Sequence, residues 1–504
     1  MRHSLLGPLV IVALILAACT PVRNPATGEL QYTSLSREDE QQLGRAEHPK
    51  ALAQFGGAYR NAALSSYVAR VGARVQGVSE LKGEAFTFTV LDSDVVNAFA
   101  LPGGYVYVTR GLLALTNDEA ELAGVLGHEI GHVTARHTAQ RYDRAKIGQG
   151  LSVAGQLAGL LLGGLVGGAE GARAGGELGG QAASLGAQAY VQGYSREQEF
   201  EADQLGIRYL AAAGYDPRAM ASFLATLQAD DAYRQRLAGQ AGGEEGEFLG
   251  DWFRTHPRTP ERVARAAAAV SETMPGARET GRGPLLAALA GMIYGEDPAQ
   301  GVVRGRSFQH PGLRIAFEAP PGFRLQNSAM AVAGSDGEGR VMVFDMAPKD
   351  VQGDLRGYLQ SGWVTNQQLE QLQALEVAGR PAAVGFGQVA LGGQPAPAMF
   401  AAVRWPDGRV FRLLYAKSGD LARADVAVFE QSLRSLRALS AAEAAALQPA
   451  RMILVPVRAG DTVDGFARRM AAGPDPRGLF VLLNGLDRGR ALTPGDQVKL
   501  IEGG

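Results

Sequence analysis

The run His128-Glu129-Ile130-Gly131-His132 is the most informative feature of this sequence. Thr116-Asn117-Asp118-Glu119 ahead of it has the pattern of a capping box, which predicts a helix that begins there and continues through the run. Residues four apart on a helix lie about 40° apart around its axis, so His128 and His132 present their imidazoles on one face. Two neutral imidazoles at this spacing suit Zn²⁺, and Glu129, offset by about 100°, can reach a water on the metal.

A third ligand is expected from a second helix. Ser195-Arg196-Glu197-Gln198 is another capping box, and Glu199 and Asp203 follow it at positions i and i+4 on one helix face. Glu199 would complete a set of two histidines and one glutamate, and Asp203 would orient a ligand imidazole by accepting its other N–H. The alternative is a solvated acidic helix face, but the helical His-Glu-x-x-His run upstream favours the metal site.

Length and charge limit the possible classes of protein. At about 100–200 residues per domain, 504 residues predict roughly three domains. Hydrophobic residues make up 46% and charged residues 20%, which argues against a mainly disordered or multi-span membrane protein. The chain has 49 lysines and arginines against 51 aspartates and glutamates, a formal net charge of -2. It therefore lacks the basic excess of a nucleic-acid binder, and no nucleic-acid partner is expected.

The single cysteine, Cys19, closes a short export signal. Arg2 is followed by an apolar stretch, residues 5–16, which is too short to span a bilayer. Leu16-Ala17-Ala18-Cys19 resembles a bacterial lipobox, in which residues 1–18 are removed and the cysteine is lipidated. A plain secretory signal is the alternative. Lipid on Cys19 would anchor a soluble body to a membrane, and the absence of aspartate at the next position favours the periplasmic face of the outer membrane.

Three ordered motifs carry a family resemblance. Asn97-Ala98-Phe99-Ala100-Leu101-Pro102-Gly103-Gly104, the run His128–Val133 and the segment Ser195–Asp203 resemble the zinc metallopeptidase family that contains HtpX, BepA and the prenyl-protein CAAX endopeptidases. The resemblance covers residues 30–295. With a lipobox and no clear transmembrane helix, the chain is most similar to the periplasmic BepA-like branch.

The resemblance implies roles for single residues, namely zinc binding by His128, His132 and Glu199 and general-base catalysis by Glu129. His256, in Thr255-His256-Pro257, and Arg262 match a BepA-like loop that can approach the zinc, and both are expected to act in catalysis. For His256 a plugging role, a transition-state role and an exposed loop position all stay open. His137, about 180° around a continuous helix from His128, is expected to be a structural or surface residue.

The predicted fold class is α+β, with a mainly helical zincin-type metallopeptidase domain, a small α+β domain and a βααβ module. The predicted ranges are a signal peptide at 1–18, a tether at 19–50, the peptidase domain at 51–295, the α+β domain at 306–438 and the C-terminal module at 452–501. Within the peptidase domain, Phe86–Leu91 and Tyr105–Thr109 have strand patterns, and the run Val95–Thr109 is expected to supply an edge strand at the cleft. The Gly-rich segment 148–193 is a lid, a core hairpin or a membrane-touching element.

The two C-terminal regions have weaker signals. Residues 306–438 resemble PsbP/Mog-like modules, and they lack the 34-residue helical repeat of the BepA branch. Val455–Val463, Leu482–Leu486 and Leu492–Leu500 resemble a LysM domain, a module that commonly binds N-acetylglucosamine-containing glycans. Peptidoglycan is therefore a candidate partner, and a purely structural module is the alternative.

Taken together, the motifs predict a zinc-dependent endopeptidase of the bacterial envelope that cleaves misfolded or stalled envelope proteins. The alternative is a non-catalytic envelope scaffold or chaperone that binds peptidoglycan through its C-terminal module. The presence of Glu129 beside a complete ligand set tells against the scaffold, because scaffolding does not need a general base.

Overall fold

The computed structural model describes residues 20–33, 35–141, 193–240, 256, 260–271, 278–391, 393–471 and 473–504. The predicted signal peptide, Cys19 and nearly all of the Gly-rich segment 148–193 lie outside these ranges. Among the helices of the described ranges, none is both long and apolar enough to cross a membrane.

The predicted tether contains regular structure. Strands β1 (Thr20–Arg23) and β2 (Leu30–Thr33) form an antiparallel hairpin. Helix α1 (Arg37–Gln54) then begins at a capping box on Ser36. A Cβ atom on Gly44 would lie only 1.9 Å from the Pro102 carbonyl oxygen, so a glycine is needed where α1 packs against the backbone at Pro102. Residues 37–50 are therefore packed against the body of the protein.

A three-stranded mixed sheet comes next, formed by β3 (Thr87–Leu91), β4 (Ala98–Leu101) and β5 (Tyr105–Thr109). The strand order is β3-β5-β4, with β3 parallel and β4 antiparallel to the central strand. Both strands predicted from residue alternation are confirmed. The expected edge strand corresponds to β4, which ends this sheet among the described residues.

Helices surround this sheet and share one apolar core with it. They are α2 (Ala62–Gln76), α3 (Arg110–Leu115), α4 (Glu119–Thr134), α5 (Arg196–Ala212), α6 (Arg218–Gln240), α7 (Pro260–Ser271) and α8 (Arg282–Leu289). Helix α4 packs between β4 and α5, so the predicted metal-binding face of α4 lies in the interior.

Residues 302–438 form two antiparallel sheets. Their strands are β6 (Val302–Arg304), β7 (Ser307–His310), β8 (Ile315–Glu318), β9 (Arg324–Asn327), β10 (Ala331–Ser335), β11 (Arg340–Met346), β12 (Glu370–Val377), β13 (Arg380–Leu391), β14 (Gln394–Arg404), β15 (Val410–Lys417) and β16 (Arg437–Ala438). The larger sheet has seven strands in the order β12-β13-β14-β15-β11-β10-β9, and the smaller has four in the order β16-β8-β7-β6.

Both faces of the larger sheet are covered. Phe411 and Tyr415 of β15 pack toward helix α10 (Arg423–Arg434), whereas Leu414 packs on the opposite face toward helix α9 (Leu355–Gly357). This alternation follows from the period of two in a strand. The predicted closing helix near the end of this region is confirmed by α10.

The chain ends in a βααβ unit. After helix α11 (Ala441–Ala446), β17 (Arg451–Pro456) pairs antiparallel with β18 (Gln497–Glu502), and α12 (Val463–Ala467) and α13 (Pro476–Asn484) lie between them in sequence. The predicted order of elements is confirmed.

The βααβ unit is not separate from the peptidase region. Met452 exchanges two backbone hydrogen bonds with residues 291 and 292, at 2.8 and 2.9 Å. Lys499 is fully buried, and its Nζ donates to the carbonyl oxygens of Ala114 and Thr116, at 2.8 and 2.9 Å. Apolar residues of the unit, among them Phe480, belong to the same core as α4.

Candidate metal centre

Helix α4 presents two histidines to the interior. It begins at Asp118, whose side chain accepts the Glu121 N–H at 2.9 Å, while the Glu121 carboxylate accepts the Asn117 N–H at 2.8 Å. The predicted capping box at 116–119 is therefore wrong in register by two residues, because Asp118 and Glu121 supply the caps. The prediction of a helix through His128 and His132 is confirmed.

Helix α5 supplies the acidic groups. The capping box predicted at Ser195 is present, and Glu199 and Asp203 both face α4 and are buried. The two helices approach closely because Gly206 faces Gly127, where a Cβ on Gly206 would lie 3.1 Å from the His128 backbone nitrogen. Small residues at this crossing bring the carboxylate of Glu199 to the imidazoles.

The donor atoms of four residues lie within 4.8 Å of one another. The Nε2 atoms of His128 and His132 are 3.0 Å apart, and Glu199 carboxylate oxygens lie 3.7 Å from the former and 3.4 Å from the latter. The fourth residue is His256, whose Nδ1 lies 2.9 Å from Glu199 Oε1 and 3.3 Å from His128 Nε2. The structure thus places His256 inside the cluster, and the exposed-loop alternative for it is wrong.

Asp203 and Arg262 lie around this cluster. Asp203 Oδ1 is 2.9 Å from His128 Nδ1, the position predicted for a group that orients the ligand imidazole. Arg262, from α7, binds Asp203 through two hydrogen bonds of 2.8 Å, and its Nη1 lies 2.5 Å from Glu199 Oε2. Arg262 therefore holds two carboxylates together, and it contacts the donor set through Glu199.

Burial and neighbouring charges set the protonation states. Burial, followed by the Glu199 charge, raises the pKa of Glu129 well above its usual range. Burial alone would also raise the pKa of Glu199, but Arg262, His256 and His132 together hold that pKa well below its usual range. Burial lowers the pKa of His132 strongly and that of His256 to about 4, so both imidazoles are neutral at neutral pH.

The hydrogen bonding and the charge of these residues test whether they fit a metal ion. Both carboxylate oxygens of the fully buried Glu129 lack a hydrogen-bond partner among the described residues. Glu199 and Asp203, whose pKa values are both lowered, bring two carboxylates that share the guanidinium of Arg262. A divalent cation would offset the remaining negative charge. The nitrogen and carboxylate donors therefore fit a metal site, and their set is the one typical of zinc.

Of the two kinds of position expected for His137, structural or surface, the structure shows the structural one. His137 is not at the surface, because its Nδ1 lies 2.8 Å from Nδ1 of His132 and its side chain is fully buried. Helix α4 ends at Thr134, and Arg136 has a φ of 59°, so the chain turns back instead of continuing the helix. No local sequence signal predicts a left-handed arginine.

An aromatic ring also packs on the cluster. The Tyr194 ring stacks on the His132 imidazole, with centroids 3.7 Å apart and planes 14° apart. Tyr194 immediately precedes the capping box of α5, so the start of that helix holds the plane of a ligand histidine. No motif in the sequence predicts this contact.

The site defines a class of protein. Two histidines one turn apart on a helix and a glutamate from another helix match the donor set of zincin-type metallopeptidases, which also carry a glutamate directly after the first of the two histidines. The sequence model of peptidase family M48 matches residues 62–270 of this chain.

Named relatives agree with this family. The chain is 29% identical over 251 residues to the beta-barrel assembly-enhancing protease of Escherichia coli, which covers 50% of this chain and 48% of that protein. It is 32% identical over 184 residues to the mitochondrial metalloendopeptidase OMA1 of Arabidopsis thaliana, which covers 36% of this chain and 31% of that protein. The chain spans less than half the length of each of these relatives.

A structural likeness exists to a third protein. The Ran-binding protein Mog1p of Saccharomyces cerevisiae matches with a TM-score of 0.20 and 10% identity, covering 28% of this chain and 98% of that chain. So low a TM-score carries no argument about this chain. The PsbP/Mog-like assignment of residues 306–438 and the LysM-like assignment of 452–501 stay predictions.

Proposed function

We propose that this protein is a zinc-dependent endopeptidase of the bacterial envelope that hydrolyses peptide bonds of misfolded or stalled envelope proteins. The observation that carries the proposal is the buried carboxylate of Glu129, which accepts no hydrogen bond from the described residues, beside the donor atoms of His128, His132 and Glu199. The family match supports peptidase activity, and the name of the Escherichia coli relative, beta-barrel assembly-enhancing protease, supports a role in the envelope.

His128, His132 and Glu199 would hold the zinc ion. When bound, zinc supplies a Lewis acid that polarises the scissile carbonyl and lowers the pKa of water. Glu129 accepts the proton of the attacking water and delivers it to the leaving amine. Burial and the Glu199 charge raise the pKa of Glu129, so its carboxylate is a stronger base than that of an ordinary glutamate.

His256 blocks the reaction in the arrangement described here. Its Nδ1 lies among the donor atoms, 2.9 Å from Glu199 Oε1, and its Nε2 lies 3.6 Å from Glu129 Oε1. A fully buried imidazole in this place occupies the space that water and a substrate carbonyl need. We therefore favour the plugging role for His256 over the transition-state role, and we assign Arg262 to positioning Glu199 and Asp203.

Two further parts of the proposal concern location. Lipid on Cys19 would tether the protein to the periplasmic face of the outer membrane. Peptidoglycan binding by residues 452–501 has less support than the structural alternative, because Lys499 and the core of the βααβ unit are buried against the peptidase region.

The test compares wild type, Glu129→Gln and Glu376→Gln on an unfolded substrate, with zinc content measured on each preparation. Glu376 is an exposed residue of β12, so Glu376→Gln is a matched control for the loss of one carboxylate. Glu129→Gln should keep zinc, since Glu129 is not in the donor set, and should lose hydrolysis. Digestion by Glu129→Gln at the wild-type rate would refute the role of Glu129 as general base, whereas a zinc-loaded wild type that digests nothing would leave the non-catalytic scaffold as the better proposal.

A further inference from the structure

His137 connects one helix of the site to the other. Its Nδ1 lies 2.8 Å from Nδ1 of His132, and its Nε2 lies 3.1 Å from Oε2 of Glu201. Glu201 is on α5, two residues after Glu199. The helix that supplies Glu199 therefore also contacts His137, which lies behind His132. The side chains of His132 and His137 are fully buried.

The chemistry of these contacts fixes the protons. A carboxylate can only accept, so Glu201 requires the proton of His137 on Nε2. A neutral imidazole carries one proton, which leaves Nδ1 of His137 as an acceptor. His132 must then donate from its own Nδ1, and the lone pair of its Nε2 is left facing the donor cluster.

We propose that Glu201 and His137 form a relay that keeps the proton of His132 on Nδ1 and directs its Nε2 lone pair toward the metal, which makes His137 a positioning residue. The inference rests on the proposed function, because it assumes that His132 binds zinc. The relay behind His132 differs from the arrangement at His128, whose Nδ1 faces the carboxylate of Asp203 directly at 2.9 Å.

The backbone is built to deliver His137 to this place. Arg136 has the left-handed φ of 59°, which an arginine adopts only when its surroundings hold it there. Its Nε donates to Glu40 at 3.1 Å, and its Nη2 donates to the Leu35 carbonyl at 2.9 Å. The start of α1 thus holds the turn after α4, and the turn places His137 behind His132.

The test measures zinc affinity by competition with a chromophoric chelator, using the full mature chain. His137→Phe should raise the zinc Kd by roughly 10- to 100-fold, the usual cost of removing a group that orients a metal ligand. His137→Asn should recover much of this loss, because its amide oxygen lies near the position of Nδ1 and can accept. His48→Phe is the matched control. His48 Nδ1 likewise lies within hydrogen-bond distance of a neighbouring side chain, the Tyr107 hydroxyl at 2.7 Å, but His48 lies outside the cluster.

A second measurement does not depend on any variant. Long-range ¹H–¹⁵N spectra of the histidine-labelled, metal-free wild type should show His132 protonated on Nδ1. A proton on Nε2 of His132 overturns the relay, as does a folded His137→Phe protein with the zinc affinity of the wild type. If instead the wild type binds no zinc at all, the proposed function fails, which is a different result.

Discussion

Arg262 offers the sharpest test of how the site is built. The Arg262 side chain is 3% exposed, and its guanidinium contacts both Asp203 and Glu199, which are themselves buried. Arg262→Met keeps most of the apolar stem and leaves two buried carboxylates without their shared cation. Removing one partner of a buried ion pair costs about 3–5 kcal/mol, because the remaining charge stays out of water.

The loss should be measured in the metal-free protein, in excess chelator. In domains of about 150–250 residues each kcal/mol shifts Tm by about 2–4 °C. At that rate Arg262→Met should unfold roughly 6–20 °C below wild type. Saturating zinc should recover part of this loss, because a cation beside Glu199 offsets the same charge. The readout is the Tm in thermal scans with and without zinc.

Arg218→Met is the matched control. Arg218 also pairs with an aspartate, Asp216, through its guanidinium, but its side chain is 74% exposed. An exposed pair contributes about 0–1 kcal/mol, so this variant should be close to wild type. Equal Tm values for the two variants would refute the reasoning, since the carboxylates of Asp203 and Glu199 would then not depend on Arg262.

Three other predictions concern His256, Lys499 and Cys19. His256→Ala should raise basal proteolysis with zinc content unchanged, whereas a fall of about 10²-fold would favour the transition-state role instead. Burial lowers the pKa of Lys499 well below its usual value, so the folded state binds fewer protons than the unfolded state, and the free energy of unfolding should rise with pH between the folded and unfolded pKa values, by up to about 1.4 kcal/mol per pH unit. Lys499→Met should remove this slope in denaturant titrations at several pH values, and an unchanged slope would show that Lys499 is not its source. Cys19→Ala should move the protein from the membrane fraction to the soluble fraction, and retention after a high-salt wash would contradict lipid anchoring.

The parts of the site that could be predicted depend on local sequence. The spacing of His128 and His132 and the capping box at Ser195 fix helices whose geometry follows from a few neighbouring residues. Glu199 and Asp203 then follow from the period of α5. For the same reason the strands β3 and β5 were predicted from residue alternation alone.

The parts that were missed depend on contacts distant in sequence. His137 reaches His132 only because Arg136 takes a left-handed conformation, and that conformation depends on Glu40, 96 residues earlier. The docking of the C-terminal unit depends on Lys499 and carbonyl groups 383 and 385 residues away. No periodicity or motif in a single sequence encodes such pairs.

These distant contacts have a shared consequence for α4. Near its beginning, Arg488 of the C-terminal unit pairs with the buried Glu121 at 3.1 Å, and Lys499 binds the carbonyl groups just before the helix. At its end, Glu40 of α1 holds the turn at Arg136. The helix that carries both histidines is therefore fixed at one end by the start of the described chain and at the other by its last strand.

The segment matched by the family model therefore does not include all the groups that fix α4. Residues 62–270 contain the ligands and Glu129, but α1 and the βααβ unit lie outside them and supply the groups that fix both ends of α4. Without those groups, the Thr116 carbonyl and the Arg136 guanidinium would lose buried hydrogen bonds, each worth about 1–3 kcal/mol when left unmade. Because a metal site needs ligands held in fixed positions, α1 and the βααβ unit contribute to the proposed metal site, although none of their described residues contacts the donor atoms.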